Sequence, residues 1–292
     1  MNFNKILFFT VAQGKDYELM ALNLCKSIKK YNKRAVIATV SREPVSFSDI
    51  HIDIKEICKN TNDINELLIR NQAYSWKMGV TKFLPKEFKK YVFLDCDSEC
   101  FSAMDISDPA IQNKFYSAWC QSIITSNKEV MNKIDKNNWS WHGSTFEGLI
   151  AFAKKFNIKE WKNINAGMFT IHSSHVDKYI ERYYYWADRL SCFFPEYYKI
   201  DNFDKKLAWG TEEVTFSLLQ AEEDPMYKSL DICRNRIAQL CMNFPADYVR
   251  KNKSFDYCAW FSTSKSSASV QATTVHFPNG KKELIEQAMK IA

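Results

Sequence analysis

The chain has 292 residues, 46% hydrophobic, 25% charged and 15% aromatic, a balance that excludes a disordered or fibrous protein. Forty Lys and Arg against 34 Asp and Glu leave a net charge of +6, too mild for a polybasic protein. Nine cysteines, odd in number and without a CxxC pair, read as free thiols of a reducing compartment rather than a disulfide framework. No run reaches the ~18 apolar residues of a membrane helix. Lys5 to Ala12 is expected as a buried first strand rather than a signal peptide, which places the protein in the cytoplasm.

Strand and helix signals alternate through the first third, the pattern of a layered α/β fold. Ile6 to Val11 predicts a strand, and Tyr17 to Tyr31 a helix with Leu19, Leu22, Leu24 and Ile28 on its inner side. Ala35 to Val40 predicts a second strand, and Ile50 to Ile57, alternating through Ile50, Ile52 and Ile54, a third. Ile64 to Phe83 is a long helical segment. Tyr91 to Leu94 is a short, wholly apolar strand that ends abruptly in Asp95-Cys96-Asp97. Phe115 to Ile124 predicts another strand, and Asn127 to Phe146, polar and Trp-bearing, an excursion from the sheet. Asn163 to Ile171 returns as strand, Val176 to Arg189 and Glu212 to Gln220 are helical, and Lys253 to Thr274 is rich in Ser and Thr. No repeat or linker divides the chain, so one domain is expected over 1–292, with halves at 1–125 and 126–292.

Seven glycines form neither GxGxxG nor GxxxxGK[ST], so a backbone cradle for phosphates is not expected. Asp95 and Asp97 offer another means. In an extended segment residues two apart project to one side, and two carboxylates can then converge on a divalent cation. The plain alternative is a solvated turn, but charged groups directly after a buried strand need partners.

Tyr91 to Ser98, with the following Met104 to Pro109, resembles the DxD strand and turn of GT-A glycosyltransferases. The resemblance implies a mainly parallel, Rossmann-like sheet flanked by helices, with a helical or loop excursion. It implies Mn2+ or Mg2+ on the two carboxylates and the diphosphate of a nucleotide sugar, most often UDP-linked. It extends to Phe9-Thr10-Val11-Ala12, where the family contacts the nucleoside. Thr10, Val11 and Ala12, with Tyr17 beyond them, are thus candidate donor contacts, and 1–125 is the nucleotide-binding half. Asn163 to Met168 is similar to the family's N-x-G strand beside the donor sugar, which singles out Asn165 and Gly167. Val275 to Lys282 is similar to the closing segment of the glycogenin and lipopolysaccharide galactosyltransferase group. There a His is a further metal ligand and a Lys six residues later holds the diphosphate, which implies these roles for His276 and Lys282. Gly280 lies one residue later than the group's glycine, and the Pro-Trp after the Lys is missing. Without the resemblance, His276 reads equally as a buried, hydrogen-bonded histidine.

Lys77 and Arg70 lie on the long helical segment from which the fold commonly directs a basic group to the donor; a solvated face explains them as well. Gly210 to Glu213 resembles the loop that carries an acid near the acceptor hydroxyl and the anomeric carbon. Either Glu212 or Glu213 fits, as general base in an inverting enzyme or as a positioning group in a retaining one. Acids in a first helical turn also complement the backbone dipole. Trp139, Trp141 and His142 suit stacking on a sugar or packing of the excursion. His172 and His175 lack the companions of a zinc site and read as structural.

The leading expectation is a metal-dependent glycosyltransferase acting on a surface glycan or other acceptor hydroxyl. DNA is a second acceptor class, compatible with the basic runs Lys26, Lys29, Lys30, Lys33, Arg34 and Arg250, Lys251, Lys253. A helix end complementing its dipole accounts equally for the first run. A non-catalytic nucleotide-sugar scaffold and a nucleotidyltransferase are the other readings. The latter usually carries a Gly-rich basic loop, of which Thr10 to Lys15 has only Gly14 and Lys15.

Overall fold

A computed structural model describes residues 6–59, 76–101, 103, 116–124, 140–141, 144–194, 205–223, 239–241, 255–256, 269–270, 274–277 and 281–291. Its centre is a sheet of six strands: β1 (Ile6–Ala12), β2 (Val36–Ser41), β3 (Ile50–Asp53), β4 (Lys90–Leu94), β6 (Tyr116–Ile124) and β9 (Trp161–His172). Their order is β3-β2-β1-β4-β9-β6. The first four are mutually parallel, β9 runs antiparallel to β4, and β6 antiparallel to β9. This is the mixed, mainly parallel sheet with flanking helices expected from the sequence.

Both faces of the sheet are covered, which explains why its strands read as continuous apolar runs. Leu7 and Phe9 of β1, with Tyr91 and Phe93 of β4, enter one core; Ile6, Phe8, Val92 and Leu94 enter another. Three helices build the first core with the sheet, α4 (Phe146–Lys155), α5 (Val176–Phe193) and α6 (Lys205–Glu223). An aromatic stack runs through it: the Phe93 and Phe169 rings are 4.9 Å apart, and Phe9 and Phe216 flank them at 5.2 and 5.1 Å. Helix α1 (Lys15–Tyr31) covers the second face with Leu24, Cys25 and Ile28. Gly14 starts that helix at φ 102°, a backbone conformation that favours glycine.

A third core lies past the sheet's carboxyl edge, where Met20 and Leu22 of α1 pack on Leu284 and Ala288 of α7 (Lys281–Met289). The Asn23 side-chain amide donates to Leu284 O across this contact. A small sheet of β5 (Ser98–Cys100), β10 (Gln239–Cys241) and β13 (Thr274–His276) sits nearby in the order β10-β13-β5, and two short antiparallel pairings join β7 (Ser140–Trp141) to β8 (Ser144–Thr145) and β11 (Phe255–Asp256) to β12 (Ser269–Val270).

Local chemistry explains where the elements depart from expectation. The alternation Ile50, Ile52, Ile54 does not continue as strand. Asp53 Oδ1 accepts from Lys55 N at 2.8 Å and starts α2 (Ile54–Lys59), which buries Ile54 and Ile57 three residues apart. Within the expected excursion, Thr145 caps α4 by accepting from Gly148 N at 3.2 Å. Of the segment Ile64 to Phe83, the described part is a short helix α3 (Trp76–Gly79) and a 3-10 turn (Val80–Phe83). Arg70, Met104 to Pro109, Trp139, His142, Arg250, Lys251 and Lys253 lie outside the described residues. Cys25, Cys96, Cys100 and Cys192 are free thiols.

Candidate active site

In the order β3-β2-β1-β4 the chain leaves β1 toward one edge and resumes on its other side at β4. Open α/β sheets bind ligands at such a switch point, outside the carboxyl ends of the strands. Asp95 follows β4 directly at that point.

The carboxylates converge through a turn rather than through extended chain. Asp95 N donates to Gly167 O on β9 at 2.8 Å, Ser98 N donates back to Asp95 O at 3.0 Å, and Phe277 N donates to Asp97 O at 2.9 Å. Cys96, between them, is buried in the third core with Ala12, Phe277 and Leu284. The Asp97 turn runs into β5, whose antiparallel pairing sets Ser98 opposite His276 of β13. His276 Nε2 thus lies 3.0 Å from Asp97 Oδ1 and 3.6 Å from Asp95 Oδ2.

One ligand atom each from Asp95, Asp97 and His276 lies within 4.8 Å of the others, the one such cluster among the described residues. Neighbouring ligands of an octahedral ion with ~2.1 Å bonds sit ~3.0 Å apart, so the spacing fits one divalent cation. Two carboxylate oxygens and one imidazole are a donor set for a hard or borderline metal. Burial works to raise the Asp97 pKa, but His276 and Lys281 outweigh it and hold the carboxyl well below its ordinary range. Asp97 is therefore ionised, as a ligand must be.

Lys77 connects this cluster to α6. Its buried ammonium lies 2.8 Å from Asp95 Oδ1 and 3.1 Å from Oδ2, 2.8 Å from Glu212 Oε1, and 5.3 Å from the centre of the Phe93 ring. Burial alone lowers the pKa of an ammonium; Asp95 and Glu212 together raise it above its ordinary value. Burial pushes Glu212 up to about 8 despite Lys77, with Asp95 and Glu213 adding to the rise. Glu213 is only partly buried, and its Oε1 accepts from Ala166 N on β9 at 3.3 Å.

The structure thus brings together Asp95, Asp97, His276, Lys77, Glu212, Glu213 and Gly167. Thr10, Val11 and Ala12 end β1 at the switch point, where Thr10 Oγ1 is buried without a hydrogen-bond partner among the described residues. Asn165 lies on β9 opposite Ala118, and its side chain is outside the described residues. Lys282 is elsewhere: its side chain is 91% exposed and lies 4.0 Å from Glu286 Oε1. Its neighbour Lys281 reaches the cluster, 3.4 Å from Asp97 Oδ2 and 5.5 Å from the Tyr17 ring centre. Sequence reasoning missed Lys281; the signal was the lysine pair itself, of which a helix start can aim only one inward. His172 is hydrogen-bonded to Ser174 Oγ at 2.7 Å, in keeping with a structural role.

No family model matches the chain, and no curated protein matches it. Among solved structures, it is similar to the galactosyltransferase LgtC in complex with donor and acceptor sugar analogs. The TM-score is 0.46 at 8% identity over 97% of this chain and 95% of that one. An active-site mutant of LgtC gives 0.42 at 9% identity, covering 97% and 95%. Apo mouse xyloside xylosyltransferase 1 gives 0.48 at 11% identity, covering 94% and 98%.

Proposed function

We propose that the chain is a metal-dependent glycosyltransferase that moves a sugar from a nucleoside-diphosphate sugar, UDP-linked, to an acceptor hydroxyl. The observation that carries this reading is the cluster of Asp95, Asp97 and His276 at the carboxyl end of β4, with Lys281 beside it. Those three residues would hold Mn2+ or Mg2+, which when bound offsets the negative charge that develops on a leaving diphosphate. Lys281 adds a cation on the same side, in the role the sequence implied for Lys282. Lys77 holds Asp95 in place while Glu212 fixes Lys77 from the other side. Of the two adjacent acids, Glu213 is the one to face the acceptor, because Glu212 is buried against Lys77. There Glu213 accepts the acceptor hydroxyl proton if the configuration inverts, or orients donor and acceptor if it is retained. The closing segment around His276 favours the retaining course by resemblance.

The test is release of UDP from a panel of UDP-sugars with Mn2+ and no acceptor, read as slow donor hydrolysis. Release from one sugar, abolished by EDTA and by Asp97→Asn, supports the proposal and names the donor. Silence across the panel, with no metal-dependent UDP binding by calorimetry, overturns it in favour of a non-catalytic scaffold.

A further inference from the structure

The basic run at the end of α1 takes no part in this site. From Lys26 to Arg34 the sequence carries five cations and no acid. One of them is engaged: the Lys29 ammonium lies 2.6 Å from Asp49 Oδ2 and donates to Ala35 O at 2.7 Å. Lys26, Lys30, Lys33 and Arg34 are exposed and form no ion pair among the described residues. A helix dipole accounts for cations in the last turn, such as Lys30, but not for Lys33 and Arg34 beyond it or for what accompanies them.

Two aromatic side chains share this surface. Tyr31 is 37% exposed with the Lys30 ammonium 5.0 Å from its ring centre, and Phe47 is 45% exposed with Lys26 at 6.0 Å. Phe47 has φ 66°, a left-handed conformation that is an outlier for a bulky residue. Its neighbours fix it there. Val45 is buried, Ser48 N donates to Val45 O at 3.2 Å, and Ser48 Oγ lies 2.8 Å from Ile50 O. The turn is tied down on both sides of a phenyl ring that points to solvent.

We propose that this end of the molecule docks on an anionic phospholipid surface. The ammonium and guanidinium groups meet the phosphates, and Phe47 and Tyr31 enter the boundary between headgroups and acyl chains. Charge complementarity calls for a polyanion, and the uncharged groups decide which one. A nucleic-acid backbone is held by N–H groups of helix N-termini and by hydroxyl and amide side chains among the cations. Here the helix presents its C-terminus, Ser27 is buried with its hydroxyl on Leu24 O, and Asn32 is buried. Along Lys26 to Arg34 what remains exposed is cationic tips and the Tyr31 ring, and Phe47 lies beside them. Along α1 the Tyr31 end of the patch lies about 21 Å from Tyr17, so it tethers the protein rather than presenting an acceptor.

Flotation of the full chain with vesicles of phosphatidylcholine, with and without phosphatidylglycerol, tests this. Binding is expected only to the anionic vesicles and to weaken with salt. Lys33→Ala should lower vesicle affinity roughly fivefold, and Lys26→Ala, Lys30→Ala and Lys33→Ala combined roughly a hundredfold. Phe47→Gly relieves the backbone conformation while removing the ring, so it should weaken binding without lowering the melting temperature. No binding of the unmodified protein at low salt overturns the proposal, as does a triple variant that binds unchanged. So does duplex DNA that binds through the same lysines while Phe47→Gly leaves vesicle binding intact, which marks a nucleic-acid surface instead.

Discussion

Two lysine–carboxylate clusters brace the same sheet, one inside it and one at its rim. Lys77 stands 2.8 Å from both Asp95 and Glu212, and the side chains of the three are 8%, 19% and 5% exposed. Lys29 stands 2.6 Å from Asp49, with 25% and 40% of the two side chains exposed. The contact distances are alike, and the surroundings are not. At the rim, water replaces whichever partner is removed. Inside, one ammonium serves two carboxyl groups beside an aromatic core, and removing it leaves both without their partner where little solvent reaches. Burial, more than contact geometry, makes the inner cluster able to hold Asp95, a candidate metal ligand, in a fixed position.

The sharpest way to break this comparison is Lys77→Met, which keeps the volume and deletes the charge. It is expected to cost about 3–5 kcal/mol of stability, read by urea unfolding, because Asp95 and Glu212 are left buried without their cation. A smaller effect is expected at the ligands. Mn2+ should raise the melting temperature of the unmodified protein, by the equivalent of about 2.7 kcal/mol at a hundred times its dissociation constant. Asp97→Asn should abolish that rise, and EDTA should reverse it. A variant that still responds fully to metal would remove Asp97 from the ligand set.

The neighbouring lysines at the start of α7 sharpen the comparison further, since they share a backbone and differ in surroundings. Lys281→Ala is expected to weaken metal-dependent UDP binding about tenfold, the loss of one charge-assisted contact, while Lys282→Ala leaves it unchanged. Calorimetry with UDP and Mn2+ reads both. Equal effects would mean that the helix start does not sort the two side chains.

That pair also shows where sequence reading reaches its limit. Asp95 and Asp97 were legible because an apolar strand ending in two acids is a local pattern; His276 stood out through the resemblance of its closing segment, since a histidine after an apolar pair reads equally as a buried, hydrogen-bonded one. Spacing pointed to Lys282, whereas the structure brings Lys281 to Asp97: consecutive helical residues point about 100° apart, and which one turns inward depends on where α7 begins. The same holds for Glu212 and Glu213, which share a helix yet differ in burial because Lys77 arrives from a distant element. The layered α/β class, too, followed from the alternation of strands and helices in the first third, whereas the strand order rests on pairings that alternation does not specify. Asp53, by contrast, stopped β3 through one side-chain hydrogen bond that hydrophobic alternation does not register.

The smallest effect belongs to the rim. Lys29→Ala deletes an ion pair that solvent already screens, so it should change stability by less than about 1 kcal/mol, and by less still in high salt. Asp49→Ala should cost more than Lys29→Ala, because Asp49 Oδ2 also accepts from Ile37 N at 2.8 Å where the loop joins β2. Asp49→Asn, which retains an acceptor for that N–H, should recover most of the difference. Urea unfolding at low and high salt measures all three. If Lys29→Ala proves as costly as Lys77→Met, then burial is not what separates the two clusters, and the special standing of the inner one at the carboxyl end of β4 falls with it.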